Sequence, residues 1–589
     1  MKPVSLQDDS SKTALSLRGL RLASRIVMLV DWASRSNRRC SLILVLLCCI
    51  AFLPGFFSIP VLDRDEARFA LVTRQMVETG QLAEVRIGSE GAHTRPLGWH
   101  WLQAGLVASV DAIGMDRADR TIWLYRLPSL FAAIAAVLLT FWAALAFTGR
   151  RAALFAAILL AGSASVGVAA RLAMPDALML AAAAAMIGSL ARLYLPERAG
   201  EHATLLPSDA TRALVLLFWG AIAAALFMRG LLALFYPLLA LCSLMAVDRS
   251  LRPLRATAPV VGVALCGVVG LLWYLLRHFG MDDRDAVAAG RALMGRLGPS
   301  FSGAGGPPGT LLVTFWGMFW PGAPLAALAV PLLWKARRQR AVQFLLAWVI
   351  PAWIVLELIP TKFPAHLLPL FPAVAIAVGL ALERGALALS DARLVRLVWL
   401  WPVIGAAIAV FALLGLAIFD RTTSLLAWPL LLLGFFALVT AAAAFREYGA
   451  EKASLLAVVG MLISGFGVMQ LLLPQMRSLW VSPRVVEAVG RENCPAGSGP
   501  LVLGAAGYDE PSLAFLLPGS IRLMDGAAAA DFLREGGCHI VLIERRQEVR
   551  FVRRAEALGL RFERTADIGG VAYADGRGVR LSLYRRVGG

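Results

Sequence analysis

Charge is the scarce commodity in this sequence. Asp, Glu, Lys and Arg make up 16% of the 589 residues, against 59% hydrophobic. With a mean hydropathy of +0.71, that composition excludes an ordinary soluble protein and implies a polytopic α-helical membrane protein. There is no short alternating apolar/polar pattern, which excludes a transmembrane β-barrel. No small-residue cleavage pattern follows the first apolar run, so a cleavable signal is not expected. Rossmann and Walker signatures are also missing. The formal net charge is +18, but the basic residues sit mainly between apolar runs, where they orient helices in a membrane. No nucleic-acid partner is expected.

What is present is a series of fourteen apolar runs: 41–59, 99–114, 128–148, 152–170, 177–193, 212–228, 231–247, 257–276, 311–333, 341–358, 365–382, 398–418, 425–445 and 453–474. The basic connectors are the N-terminus, Arg150-Arg151, Arg249 to Arg255, Lys335 to Arg340, and Arg393/Arg396. If every run crossed the membrane, the later connectors would fall on the outer side. The shortest run, 99–114, is interrupted by His100, Gln103 and Asp111. Read as an interfacial helix, it leaves thirteen spans and puts every basic connector inside. The division is then a cytoplasmic segment 1–39, a membrane domain 40–475 with an outer loop 60–127, and an outer domain 476–589. Within 1–39, residues 21–33 fit a short amphipathic surface helix. In the outer loop, Asp65-Glu66 opens a helix with Phe69, Val72, Met76 and Val77 on its apolar face, and Gly80 ends it.

After Gln475 the pattern changes to short strands and helices. Leu501–Gly504, Ile521–Met524 and His539–Glu544 read as strands, and Glu510–Leu517, Ala527–Leu533 and Gln547–Leu558 as helices. Two closing strands lie around Gly569-Gly570 and Val579–Tyr584. This predicts a small α/β domain with no phosphate loop and no evident nucleophile. Cys48, Cys49, Cys242 and Cys266 lie in apolar runs and read as small hydrophobes. Cys494 and Cys538 share the outer domain, where a disulfide between them and two separate buried thiols are both open.

Ionisable groups at membrane depth are costly unless they face a cavity or each other. Asp63, Asp65, Glu66 and Arg68 directly follow the first span, with Asp65 and Arg68 at i,i+3 on one helix face. They read either as a structural ion pair or as a carboxylate beside an anion clamp. Arg95, fixed by Pro96 ahead of Trp99, is placed to grip a lipid phosphate or merely to reach the interface. Asp176, after Met174-Pro175, either caps a helix or joins a polar network with Arg171. Arg229, Lys362 with His366, and Arg277-His278 after Trp273-Tyr274 end other runs on the same outer side. Singly each fits interfacial snorkelling. Together they fit a site where carboxylates act on an anionic, lipid-embedded substrate.

These segments resemble the polyprenyl-phosphate-dependent GT-C glycosyltransferases, and in particular the ArnT-like branch of the protein-mannosyltransferase superfamily, which includes the aminoarabinose transferases. The matching elements are Asp65-Glu66-Ala67-Arg68-Phe69-Ala70, Arg95-Pro96-Leu97-Gly98-Trp99-His100-Trp101, Asp176, Met228-Arg229-Gly230, Trp273-Tyr274, and Lys362-Phe363-Pro364-Ala365-His366-Leu367-Leu368-Pro369. Arg95 and Arg229 stand where the family has lysine, which keeps the charge and changes its geometry.

The resemblance implies a GT-C fold and an enzyme that moves a sugar from a polyprenyl-phosphate carrier to a lipid (lipid A among them), glycan or protein acceptor, with inversion. It implies that Arg68, Arg95, Arg229 and Lys362 hold the phosphate and that Asp65 binds or deprotonates the acceptor. Asp176 would serve as second carboxylate, and Glu66, beside Asp65, is the third catalytic candidate. Asp63, His366, Trp273, Tyr274, Arg277 and His278 would support them. No cofactor is required, and a divalent metal stays open: Thr94 replaces the family's acid, leaving Glu90 and His93 as weak candidates. A monomer in a bacterial inner membrane is expected, with site and C-terminal domain periplasmic. The alternatives are a flippase, which needs polar residues through the mid-membrane, and a non-catalytic sensor of sugar-linked lipids.

Overall fold

The structure is a computed structural model. It describes residues 25–492 except 26, 64, 81–96, 196–207, 281–304 and 388–390, and residues 499–587 except 500, 518–520 and 573–575. Nearly every apolar run is helical, because leucine- and alanine-rich segments in lipid must satisfy their backbone groups internally. The helices are α1 (Asn37–Phe52), α2 (Asp65–Thr79), α3 (Gly98–Ala112), α4 (Ile122–Ala144), α5 (Arg150–Ala161), α6 (Ala164–Ala169), α7 (Asp176–Tyr194), α8 (Ser208–Arg229), α9 (Leu232–Asp248), α10 (Pro259–Gly280), α11 (Thr310–Met318), α12 (Gly322–Lys335), α13 (Arg340–Leu358), α14 (Phe371–Glu383), α15 (Leu400–Phe419), α16 (Ala427–Tyr448) and α17 (Ala450–Phe466).

Among the described residues, eight helices are long and apolar enough to cross a membrane, or nine if one bent pair counts as a span. Leu232–Asp248 and Pro259–Leu272 are shorter apolar helices. The chain is thus a polytopic, mostly helical membrane protein. Run 311–333 differs from the straight span expected: α11 and α12 meet at 118°, where Pro321 interrupts the helix. Run 152–170 likewise divides at Gly162-Ser163 into α5 and α6. At 15 residues, α3 reaches only ~22 Å, short of a bilayer core. Of the expected surface helix over 21–33, residues 27–33 are helical and most of the rest lies outside the described residues.

Polar ties gather the helix ends at one end of the bundle. Arg150 donates to Asn37 (2.7 Å), the Gly149 N–H to Glu383 (2.7 Å), and Arg151 bridges Asp31 and Glu451 (2.8 Å each). The opposite ends of α1, α4, α7 and α8 meet around Glu66, Arg126 and Asp176. Small residues allow close crossings in between. A Cβ on Gly434 would come within 2.9 Å of the Gly460 carbonyl, so α16 and α17 touch backbone to backbone.

Beyond Gln475 stand α18 (Val481–Gly490), β1 (Val502–Ala506), α19 (Pro511–Leu516), β2 (Ile521–Met524), α20 (Gly526–Arg534), β3 (His539–Glu544), α21 (Arg545–Ala557), β4 (Phe562–Ala572) and β5 (Arg577–Arg586). The sheet order is β2-β1-β3-β5-β4. β1 pairs parallel with β2 and β3, while β5 pairs antiparallel with β3 and β4. β3 reads Ile-Val-Leu-Ile because both faces are covered. Ile540 and Leu542 pack with Val485 and Leu513, and Val541 and Ile543 with Phe532 and Phe551. Cys538 is disulfide-bonded. Its expected partner, Cys494, lies outside the described residues. Cys40, Cys48, Cys49, Cys242 and Cys266 are free thiols.

Candidate active site

The site is built on a buried ion pair between α2 and α4. Glu66 and Arg126 are each 1% exposed. The guanidinium donates to both carboxylate oxygens, Nε at 2.8 Å and Nη2 at 2.9 Å. Glu66 also accepts from the Leu62 N–H (2.8 Å) and the Ala173 N–H (2.9 Å). Arg126 donates in turn to the carbonyls of Ile59 (2.7 Å) and Pro60 (2.8 Å). A buried pair withstands desolvation when its remaining donors and acceptors are satisfied, and here they are. Both oxygens of Glu66 are committed to shape, unlike the open catalytic acid its sequence position suggested.

Its neighbour is different. Asp65 opens α2, is exposed, and makes no ion pair among the described residues. The α2 apolar face is as expected, with Phe69, Val72 and Met76 buried, and Gly80 ends the helix at φ +69°, a backbone angle glycine adopts without strain. Arg68 is half-buried one turn along. Asp63 lies close enough to the C-terminal domain to act on Tyr508, whose pKa is raised first by burial and second by Asp63.

The turn before α7 carries the second group. Arg171, 7% exposed, donates to the carbonyls of Pro54 (2.7 Å) and Ala51 (2.6 Å) and so closes the C-terminus of α1. Burial, and then neighbouring Arg126, lower its pKa to about 10, leaving it a cation at neutral pH. The Ala173 carbonyl accepts from Trp99 and Gln103 (3.2 Å each), and the Met174 carbonyl from Ser129 (3.0 Å). Helix α7 starts at Asp176 with Pro175 at the cap position and no side-chain cap. Of its two expected roles the cap is absent, and the polar contact is made with Arg229: Asp176 Oδ1 lies 3.0 Å from Arg229 Nη2. Arg229 is the last residue of α8, and Gly230 turns the chain at φ +80°. His366 is within electrostatic reach of both charges, and its carbonyl accepts from Tyr236 (2.8 Å).

Lys362 sits close by in sequence to His366 but points elsewhere. It is 4% exposed. Its ammonium donates to the carbonyls of Leu356 (3.4 Å), Glu357 and Ile359 (2.6 Å), with the Glu357 carboxylate at 3.9 Å. A cation is favoured at the C-terminus of a helix, and Lys362 closes α13 in that way. Glu357 in turn accepts from the Gly309 and Leu312 N–H groups (2.9 and 2.8 Å).

Arg95, Glu90 and His93 lie outside the described residues, as do the side chains of Trp273, Arg277 and His278. Tyr274 is exposed. Among the described residues no cluster of three or more His, Cys, Asp or Glu could hold a metal. Arg126 escaped the sequence reading. Its only signal was a lone cation at the mouth of an apolar run, in Trp-Leu-Tyr-Arg-Leu-Pro.

The C-terminal domain completes this end of the bundle. Phe515 of α19 is 0% exposed and packs with Val61, Ala67, Ala70, Tyr125 and Ala173, its ring 5.3 Å from that of Tyr125, edge to face. Arg74 of α2, 6% exposed, donates to the Phe515 carbonyl (2.7 Å) and the Ala514 carbonyl (3.1 Å). It also pairs with Glu78 (2.7 Å) and Asp119 (3.4 Å).

Two solved structures of ArnT from Cupriavidus metallidurans superpose over 92% of this chain and 97% of theirs. The apo structure does so with a TM-score of 0.64 at 17% identity. The structure bound to undecaprenyl phosphate does so with a TM-score of 0.63 at 18% identity. The chain shares the fold of ArnT. No family model matches the sequence, and no curated protein matches it.

Proposed function

We propose that this protein transfers a sugar from a polyprenyl-phosphate carrier to a lipid, glycan or protein acceptor at the outer face of a bacterial inner membrane. One observation carries the reading. The Glu66–Arg126 pair and the turn it holds bring an open carboxylate, Asp65, to the same end of the bundle as the Asp176–Arg229 pair. The likeness to an ArnT structure that holds undecaprenyl phosphate supports a lipid-phosphate donor.

In this mechanism the acceptor oxygen attacks the anomeric carbon as the bond to the carrier phosphate breaks, inverting the centre. Asp65 takes the acceptor proton as general base. Arg229 and Arg68, with Arg95, stabilise charge developing on the leaving phosphate. Asp176 aims Arg229 and orients the acceptor from the other side. Glu66 and Arg126 position α2, and Lys362 contributes by holding the 357–366 turn rather than by touching phosphate in this conformation. The thirteen-span reading of the sequence, with its basic connectors inside, supports a periplasmic site and C-terminal domain and a cytoplasmic N-terminus.

The test is to incubate the purified protein with radiolabelled polyprenyl-phosphate sugars and membrane extract. Label moving into a new product supports transfer. Label that changes leaflet in vesicles while staying on the carrier would make the protein a flippase instead.

A further inference from the structure

The outer domain carries a feature that sugar transfer does not use. At the carboxyl end of β3 a cleft of about 530 Å3 is lined by Glu544, Arg545, Arg546 and Arg580, together with Gly569, Gly570 and Gly578. The cleft extends from the end of β3 over the neighbouring strands β5 and β4, and the Glu544 side chain also stands beside Gly507.

Three arginines face one acid. Glu544 stands 3.7 Å from Arg546, while Arg545 and Arg580 are exposed and have no ion-pair partner among the described residues. Arg484 adds a fourth cation at the rim by donating to the Gly569 carbonyl (2.6 Å).

The cleft also sits beside the membrane end of the bundle. Its Gly570 wall lies against the Ser478 carbonyl, which a Cβ there would approach to 2.6 Å, and the Val571 N–H donates to that carbonyl (2.9 Å). Ser478 is bound through its N–H (2.7 Å) and hydroxyl (2.8 Å) to Asp420. Asp420 directly follows α15, whose last residues, Ile418 and Phe419, are exposed apolar groups of a membrane-crossing helix.

We propose that this cleft holds the phosphodiester of an anionic glycerophospholipid, docking the outer domain onto the leaflet from which the spans emerge. Planar guanidinium groups match phosphate oxygens, and a headgroup without a cation of its own suits a cleft with excess arginine. The proposal stands whether or not the protein transfers sugar.

The test uses the full-length protein in neutral detergent. Dissociation constants are measured by calorimetry for short-chain phosphatidylglycerol, short-chain phosphatidylcholine and inorganic phosphate. Phosphatidylglycerol should bind at least about tenfold tighter than either other probe. The Arg545→Ala/Arg580→Ala variant should bind it about thirtyfold more weakly, from a factor of about five per arginine. Arg522→Ala, on the far edge of the sheet, should bind as wild type. Both substituted side chains are exposed and unpaired, so melting should not change, and Arg580→Gln alone gives a second reading, expected at about fivefold weaker. Equal binding by the double variant overturns the proposal. So does phosphatidylcholine binding as tightly as phosphatidylglycerol, and inorganic phosphate binding as tightly would make the ligand a free anion.

Discussion

Asp65 and Glu66 are adjacent carboxylates with opposite fates, and the reason is Arg126, sixty residues away in sequence. Glu66 receives two guanidinium and two backbone hydrogen bonds; Asp65 faces solvent. Glu66→Ala leaves Arg126 as an uncompensated buried charge and should destabilise by about 3–5 kcal/mol, seen as a lowered melting temperature in detergent. Replacing both with apolar residues of similar volume should be milder than either single change. For Asp176, substitution by Asn removes the charge that aims Arg229 and should reduce turnover without a comparable fall in melting temperature. Sequence proximity favoured Glu66 and Lys362 as functional groups. Their binding partners, a distant arginine and a set of backbone carbonyls, carry no local sequence signal.

The elements themselves were easier to read. Asp65–Thr79, Gly98–Ala112 and the strands of the C-terminal domain fall within a few residues of expectation, since apolar periodicity and glycine stops act locally. The break between α11 and α12 was less visible because both halves are apolar, and only Pro321 marks it. Nothing in the local pattern showed that α19 would dock on α2, because Phe515 reads like any core aromatic. Phe515→Ala should cost about 3–5 kcal/mol through the cavity it leaves. Arg74→Ala, which releases the Phe515 and Ala514 carbonyls, should loosen the same junction. Hydrogen exchange should then speed up in both 65–79 and 511–517, while the β3 core stays protected.

For the whole molecule, the separation of polar ties to two ends of the bundle is the main architectural result. Arg150, Arg151, Glu383 and Glu451 meet at one end, and Glu66, Arg126, Asp176 and Arg229 at the other. Single cysteines at Gly80 and Gly149, introduced into a cysteine-free background, should label from opposite sides of sealed vesicles. The basic-connector rule could anticipate this division because it sums over many loops, whereas the geometry inside the site depends on single contacts.

The most direct measurement is single-turnover sugar transfer by Asp65→Asn, alongside retention of the polyprenyl-phosphate carrier. Loss of general-base action should slow transfer by about 100-fold or more, with carrier binding and melting temperature unchanged. Transfer at the wild-type rate would contradict the assignment of Asp65.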